Sequence, residues 1–140
     1  MIPFYAQDHD YSQYNVLAVD DIPLNLLLVQ KMLAKFNFSL RTAANGQQAL
    51  DAVAEQKPDL ILLDLMMPGI DGFEVIRRLR ANPDTADIQI VILSALNSNE
   101  DVVKGFNMGA NDFIMKPIIM EKLLSCVNTQ MQLVASKRAQ

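Results

Sequence analysis

The sequence predicts a doubly wound α/β fold, in which a five-stranded parallel sheet is covered by helices on both faces. Five short apolar runs alternate with longer segments of helical period. Most of these runs are rich in Val, Ile and Leu, as is typical of strands buried on both faces. A chain of 140 residues with 51% hydrophobic and 20% charged residues suits one domain with its own core.

The alternation predicts where each element lies. Strands are predicted at 15–20, 38–43, 60–64, 88–94 and 112–115, and helices at 23–36, 46–56, 73–80, 99–108 and 120–136. The domain therefore covers residues 15–136, after an extension at 1–14 and before a short tail at 137–140. No internal repeat or linker interrupts it.

The helices are predicted from their apolar spacing. Pro23 falls in the first turn of the first helix, where its missing N–H costs nothing. The residues that the helical period places on one side of that helix are Leu26, Leu27, Val29, Leu33 and Phe36. The next three helices repeat the spacing with Ala49, Leu50 and Val53, then Val75, Ile76 and Leu79, then Val102, Val103 and Phe106. Gly109 ends the fourth helix.

The last helix carries a stripe of apolar residues spaced alternately by four and three: Met120, Leu124, Val127, Met131 and Val134. This stripe is typical of a helix that docks on a sheet. It also fits a coiled coil that continues into a partner or a following domain, although two heptads are fewer than a coiled coil usually shows. Both interpretations stay open at this point.

The extension before the first strand carries four aromatic residues, Phe4, Tyr5, Tyr11 and Tyr14, among polar ones. We expect a loosely packed arm here, with an arm that binds a partner as the alternative. The segment has neither the basic start nor the apolar core of a signal peptide.

Charge and composition exclude several classes of function. The formal net charge of -4 gives no support to direct binding of nucleic acid. The longest apolar runs, such as 60–63, are far too short to span a membrane, so we expect a cytoplasmic protein. The single cysteine, Cys126, can form no internal disulfide, and we expect it to be a small buried hydrophobe on the last helix.

Polar side chains gather where the predicted strands end. The first strand ends in Asp20 and Asp21, the third in Asp64 and the fourth in Ser94, and Lys116 follows the fifth. Because the carboxyl ends of parallel strands share one edge of the sheet, we expect these side chains to meet there. Each of them alone could be an ordinary cap or loop residue. Capping, however, requires no lysine opposite three acids.

Three carboxylates in one crevice require a cation. At 4 Å each pair repels by about 4 kcal/mol at an effective dielectric near 20. Mg²⁺ suits oxygen ligands in an open, hydrated crevice, whereas Zn²⁺ is disfavoured because no His or Cys converges there. Asp64 is then the predicted nucleophile, since a carboxylate can attack phosphorus and form an acyl phosphate. Mg²⁺ and Lys116 would neutralise the transferring group, and the Ser94 hydroxyl would donate to the product.

In these motifs the sequence resembles the receiver domains of two-component response regulators. The resemblance rests on Val19-Asp20-Asp21, residues 62–72 (LLDLMMPGIDG), Leu93-Ser94-Ala95, residues 109–113 (GANDF) and Lys116-Pro117. It covers about 15–134, nearly the whole chain. It implies a flavodoxin-like scaffold with strand order 2-1-3-4-5.

The resemblance implies a role for each residue of the site. Asp64 accepts a phosphoryl group from the phosphohistidine of a histidine kinase or a phosphotransfer protein. Asp21, Asp64 and the Met66 backbone carbonyl bind Mg²⁺ directly, and Asp20 acts partly through water. Lys116 pairs with the phosphoryl group, and the bond between Lys116 and Pro117 is expected to be cis. The chain is thus expected to be a signalling phosphoacceptor and not an enzyme.

The resemblance also implies a switch. Phosphorylation draws Ser94 toward the new oxygens, and Phe113 turns into the vacated space. The face formed by the fourth helix, fifth strand and fifth helix then changes for a downstream effector, and a homodimer is an open alternative. Because Phe113 lacks the hydroxyl of the tyrosine common at this position, we predict a bias toward the inward rotamer. Met66 and Leu96 are apolar where many receivers are polar, and we expect them to shield the acyl phosphate from water.

Three rival functions stay open from the sequence. A haloacid-dehalogenase-like phosphatase also uses a strand-end aspartate, but it needs a second aspartate two positions later, where this chain has Met66. A flavin-binding protein needs a donor-rich loop after the first strand, where Asp20 and Asp21 would repel the flavin phosphate. A degenerate receiver that serves only for docking would be free to lose the acids, and none is missing. We expect no output domain beside the receiver within the 140 residues.

Overall fold

The computed structural model describes residues 11–96 and 98–138. These residues form five parallel strands and five α-helices in alternation, as the sequence predicts. The strands are β1 (Asn15–Val19), β2 (Ser39–Ala43), β3 (Leu60–Leu63), β4 (Gln89–Ser94) and β5 (Asp112–Met115). The helices are α1 (Pro23–Leu33), α2 (Gly46–Glu55), α3 (Gly72–Ala81), α4 (Asn99–Met108) and α5 (Met120–Arg138). The order in the sheet is β2-β1-β3-β4-β5, which confirms the flavodoxin-like topology.

Alternate residues of each strand face opposite layers of the core. Val16 and Ala18 pack with α1 and α5 on one side of the sheet. Leu17 and Val19 pack with α2 and α3 on the other. The central strand β3 is buried at all four of its positions. A sheet covered on both faces leaves its strand ends as the place where polar side chains can reach a shared crevice.

Side-chain caps fix the start of three helices. Asn45, Asp71 and Ser98 each accept a hydrogen bond from the backbone N–H three residues further on, at the first turns of α2, α3 and α4. Asp71 belongs to the motif at 62–72, and in the structure it caps the start of α3. Gly109, at φ 112°, ends α4 as expected.

The first helix is shorter than predicted. The regular α-helix ends at Leu33, and Ala34–Phe36 form a single 3₁₀ turn before Asn37 adopts a left-handed conformation with φ 60°. Val29, Leu33 and Phe36 are buried as expected, but Leu27 is exposed. The other bounds differ from the prediction by one or two residues at most.

The predicted apolar face of α4 is wrong. Val103 and Phe106 are 55% and 45% exposed, and Val102 is only half-buried. The backbone at Gly105 packs on the sheet instead: a Cβ atom there would lie 2.8 Å from Cδ1 of Ile92. Because a glycine makes the close contact, the helix is rotated relative to the face that its apolar spacing indicates.

The coiled-coil interpretation of α5 is also wrong. Leu124, Val127, Met131 and Val134 are buried in the core beneath the sheet, so the stripe is the docking face of the helix. Met120, the first residue of the predicted stripe, is exposed. Among the described residues no helix is both long enough and apolar enough to cross a membrane.

The segment before β1 is not a loose arm where the structure describes it. Phe4 and Tyr5 lie outside the described residues. The Tyr11 ring stacks on Phe38 with centroids 5.4 Å apart, and its hydroxyl hydrogen-bonds the buried amide of Asn128 on α5. The Arg138 guanidinium lies 4.2 Å from the centre of the Tyr14 ring. Residues 11–14 therefore form a strap that joins the start of β2 to α5.

Cys126 lies half-buried on α5, where its thiol donates a hydrogen bond to Oδ2 of Asp112 at 3.2 Å. Burial, and then the neighbouring carboxylate, raises the pKa of this thiol. The cysteine is therefore a poorly reactive residue at the seam of α5 and β5, less deeply buried than the sequence analysis predicts.

Candidate functional site

The structure brings the three predicted acids together at one edge of the sheet. Asp20 and Asp64 directly follow the paired ends of β1 and β3, where Val19 lies beside Leu63. They are 6% and 4% exposed, whereas Asp21 is open to solvent. Carboxylate oxygens of all three residues lie within 4.8 Å of one another. Two buried acids beside an exposed one form a crevice that a cation can enter from water.

Lys116 places its ammonium inside this group of acids. Its backbone N–H donates to the Ser94 carbonyl at 2.8 Å, which continues the pairing of β5 with β4. Its Nζ lies 2.8 Å from Oδ2 of Asp20 and 3.8 Å from Oδ2 of Asp64. The bond between Lys116 and Pro117 is cis, as the resemblance implies. Lys116 thus stands between the two buried acids, closer to Asp20.

Two further donors to Asp20 were missed by the sequence analysis. The Ile22 N–H donates to Oδ1 of Asp20 at 2.9 Å, and the Asn25 side-chain amide donates to Oδ2 at 3.1 Å. Asn25 lies in the first turn of α1, five residues after Asp20. The only signal in the sequence is a polar residue between Leu24 and Leu26, and this position does not lie at a strand end.

Asp64 is electrostatically strained as an anion. Burial raises its pKa above the ordinary aspartate value, and the charges of Asp20 and Asp21 add to this. The Lys116 ammonium and the Met66 N–H, which donates to Oδ1 at 3.3 Å, act in the opposite direction and only partly compensate. A divalent cation beside Asp64 would therefore lower the free-energy cost of ionising this buried carboxylate.

Ser94 and Phe113 occupy the positions that a switch would use. Ser94 is fully buried at the end of β4, where its Oγ accepts a hydrogen bond from the Leu96 N–H at 3.1 Å. Its hydroxyl can still donate its own hydrogen. Phe113 is half-buried and packs on the core, with its ring 3.4 Å from the point where a Cβ of Gly105 would lie. The ring therefore lies against Gly105 of α4, and its inward bias and its movement on phosphorylation stay predictions.

Met66 and Leu96 follow Asp64 and Ser94 by two residues each, and both line a groove to which Phe73 also contributes. Met66 is 55% exposed and Leu96 is half-buried. Both therefore present apolar surface in this groove, although Met66 leaves much of its own surface open to water.

Comparisons with known proteins agree on one family. A family model described as the response regulator receiver domain matches residues 16–128. The chain is 37% identical over 134 residues, 96% of its length, to a probable cyclic di-GMP phosphodiesterase of Vibrio cholerae. It is 44% identical over 103 residues, 74% of its length, to the response regulator PleD of Caulobacter vibrioides.

A solved structure shows the same fold. The signal receiver domain of a signal transduction histidine kinase from Syntrophus aciditrophicus matches with a TM-score of 0.79 and 31% identity, over 85% of this chain and 90% of that one. The chain spans only 30% of the Vibrio phosphodiesterase and 23% of PleD. What is shared with those proteins is one part of each.

Proposed function

Because the chain belongs to the family of response regulator receiver domains, we propose that it is a phosphoacceptor switch in which Asp64 takes up the phosphoryl group. Receiver domains act in signalling through phosphorylation and a change of partner. One observation carries the assignment to Asp64: of the two buried acids, Asp20 has both oxygens held by hydrogen bonds from Ile22, Asn25 and Lys116, whereas Oδ2 of Asp64 lies 3.8 Å from the Lys116 ammonium.

Receiver domains bind Mg²⁺ at an acidic pocket, and the donors of this chain fit that ion. Asp21, Asp64 and the Met66 carbonyl would hold it directly, with Asp20 acting through water. All of these are oxygen ligands, which Mg²⁺ prefers. When bound, the ion supplies positive charge beside the transferring phosphoryl group.

The side chains of the site then account for the transfer. An Asp64 carboxylate oxygen attacks phosphorus as the bond from phosphorus to the imidazole nitrogen of the donor breaks, and the electron pair stays on the imidazole. No general base is needed because the ionised carboxylate carries no proton. Lys116 pairs with a phosphoryl oxygen, and Ser94 donates its hydroxyl hydrogen to another.

The proposed phosphoryl donor is a histidine kinase or a phosphotransfer protein, and we propose that the domain acts in the cytoplasm. Leu24, Leu27 and Leu28 are exposed on α1, which begins two residues after Asp21, and they offer apolar surface to such a protein. The proposed effector face is formed by α4, β5 and α5, where Val103, Phe106 and Met115 are exposed. A second copy of the chain is the alternative occupant of that face.

We propose a signalling module and not an enzyme. Met66 stands where a phosphatase of the rival class needs its second aspartate, so the chain lacks an acid at that position. Retention of all three acids and of Lys116 likewise favours a phosphorylated receiver over a purely docking one.

Incubation with acetyl phosphate and Mg²⁺, followed by intact mass spectrometry, tests the proposal. Wild type should gain one phosphoryl group, and Asp64→Asn should gain none. Asp71→Asn is the matched control, because this residue caps α3 in the same motif and asparagine caps equally well. Phosphorylation of Asp64→Asn, or repeated release of phosphate from excess donor by wild type, would contradict the assignment.

A further inference from the structure

The Asp20 carboxylate accepts hydrogen bonds from three donors. Its Oδ1 accepts from the Ile22 N–H, and its Oδ2 accepts from both Asn25 Nδ2 at 3.1 Å and Lys116 Nζ at 2.8 Å. The carboxylate is almost fully buried. Two donors of different kinds therefore share one buried oxygen.

The two donors on Oδ2 differ in their freedom to leave. Asn25 is fixed in the first turn of α1, immediately after the loop that carries Asp20. Lys116 has a long flexible side chain, and its Nζ is only 3.8 Å from Oδ2 of Asp64. In the transfer proposed above, Lys116 turns from Asp20 to the phosphoryl group on Asp64.

A buried carboxylate that loses a charged donor without replacement is costly. Asn25 remains on the same oxygen when Lys116 departs, so Asp20 keeps one donor on each oxygen. A donor on each oxygen also keeps the Asp20 carboxylate in the orientation that the structure shows. Without the amide, Lys116 is the one side chain of the described residues with a hydrogen bond to Asp20, and its release is opposed.

We propose that Asn25 is a positioning residue for phosphoryl transfer: its amide holds Asp20 in place so that Lys116 can leave for the phosphoryl group. The inference rests on the proposed role of Asp64. Asn25 touches neither the phosphoryl group nor the ion, and acts only through Asp20.

The test compares Asn25→Leu with wild type at saturating Mg²⁺. The rate of phosphorylation by acetyl phosphate should fall about tenfold, the size expected when a hydrogen bond to a charged group is lost. Mg²⁺ affinity, measured by calorimetry on the unphosphorylated protein, should weaken several-fold. Asn82→Ala replaces an exposed asparagine in the loop between α3 and β4, at the opposite edge of the sheet, and should change neither quantity.

A double-mutant cycle separates positioning from a general structural role. In an Asp20→Ala background, Asn25→Leu should have no further effect on rate or Mg²⁺ affinity, because the group it acts through is gone. Where that background reacts too slowly, the Mg²⁺ affinities of the same four variants complete the cycle. Asn25→Ala replaces Asn25→Leu if the leucine variant is unfolded by circular dichroism.

Two results would overturn the inference. One is a phosphorylation rate and an Mg²⁺ affinity of Asn25→Leu equal to those of wild type. The other is an equal effect of Asn25→Leu in the wild-type and the Asp20→Ala backgrounds. Failure of wild type itself to become phosphorylated would instead overturn the proposed function, and the Mg²⁺ cycle would still decide whether Asn25 positions Asp20.

Discussion

At the scale of single residues, Asp64 is a carboxylate that the fold makes costly to ionise. Its pKa is raised above 3.8, first because burial removes water from it. A group whose pKa is higher in the folded than in the unfolded state stabilises the fold most when protonated. That contribution is present below the ordinary aspartate pKa and is lost as the pH rises through the raised value. At neutral pH the ionised Asp64 therefore destabilises the metal-free protein.

Asp64→Asn should consequently raise the free energy of unfolding at neutral pH in the presence of a chelator. We expect a gain of roughly 1 kcal/mol, of the size found when a strained functional group is relieved without a change in volume. Urea unfolding at a series of pH values from acidic to neutral measures this gain. The free energies of unfolding of the two proteins should become equal at acidic pH. Mg²⁺ should stabilise wild type more than the variant. A variant that is less stable at neutral pH would show that Asp64 is not strained.

The apolar residues beside Asp64 bear on how long the phosphoryl group survives. Met66 and Leu96, each two residues after a site residue, line one groove, and their side chains offer no group that could orient an attacking water. Met66→Asn and Leu96→Glu should each shorten the lifetime of the acyl phosphate several-fold, measured as phosphate release after removal of acetyl phosphate. Leu133→Asn, at an exposed leucine far along α5, is the control. Lifetimes equal to that of wild type would discard the shielding hypothesis.

At the scale of elements, Arg80 ties the end of α3 to the loop before β5. Its guanidinium makes five hydrogen bonds: two to the Gly109 carbonyl, one each to the carbonyls of Ala86 and Ile88, and one to the Asn111 side chain. Burial lowers its pKa, although a guanidinium stays charged at neutral pH. The arginine thus satisfies backbone oxygens that no regular element pairs.

Arg80→Met should lower the free energy of unfolding by about 2–4 kcal/mol, since it leaves the partly buried carbonyls of Ile88 and Gly109 without a charged donor. Arg78→Met is the matched control on the same helix. Arg78 pairs with Glu74 at the surface, where solvent screens the pair, and its loss should cost much less than the loss of Arg80. Urea unfolding measures both changes. Equal losses of stability in the two variants would show that the hydrogen bonds of Arg80 contribute no special stability. Phosphorylation of Arg80→Met should proceed at close to the wild-type rate.

The elements also show what a sequence pattern can and cannot predict. Strands and helices follow from apolar spacing because that spacing reflects burial, and the acids at strand ends follow from the topology. The exposed face of α4 could not be predicted, because backbone contact at Gly105 leaves no side-chain signal. Arg80 and the strap at 11–14 make contacts with residues that are distant in the sequence. Asn25 lies within a helix and not at a strand end. Periodicity carries no information about such contacts.

At the scale of the whole molecule, the site at the sheet edge is connected to the proposed effector face through β4 and β5. Ser94 ends β4, pairs with Met115 in the sheet, and accepts the Lys116 N–H on its carbonyl. Phe113, two residues before Met115, packs beside Gly105 of α4. A small displacement of Ser94 therefore acts on a strand that touches both α4 and α5, and packed layers tend to respond by switching between discrete arrangements.

Ser94→Ala should uncouple phosphorylation from this response. With excess acetyl phosphate, the variant should still become phosphorylated on Asp64, because the nucleophile and Lys116 are intact. In wild type, phosphorylation should alter amide hydrogen exchange in α4 and β5, whereas in the variant most of this change should be lost, since no hydroxyl is drawn to the phosphoryl oxygens. Ser125→Ala, at an exposed serine of α5, should behave like wild type. An exchange response in Ser94→Ala as large as in wild type would show that the signal leaves the site by another route, with the Lys116 main chain as the next to test.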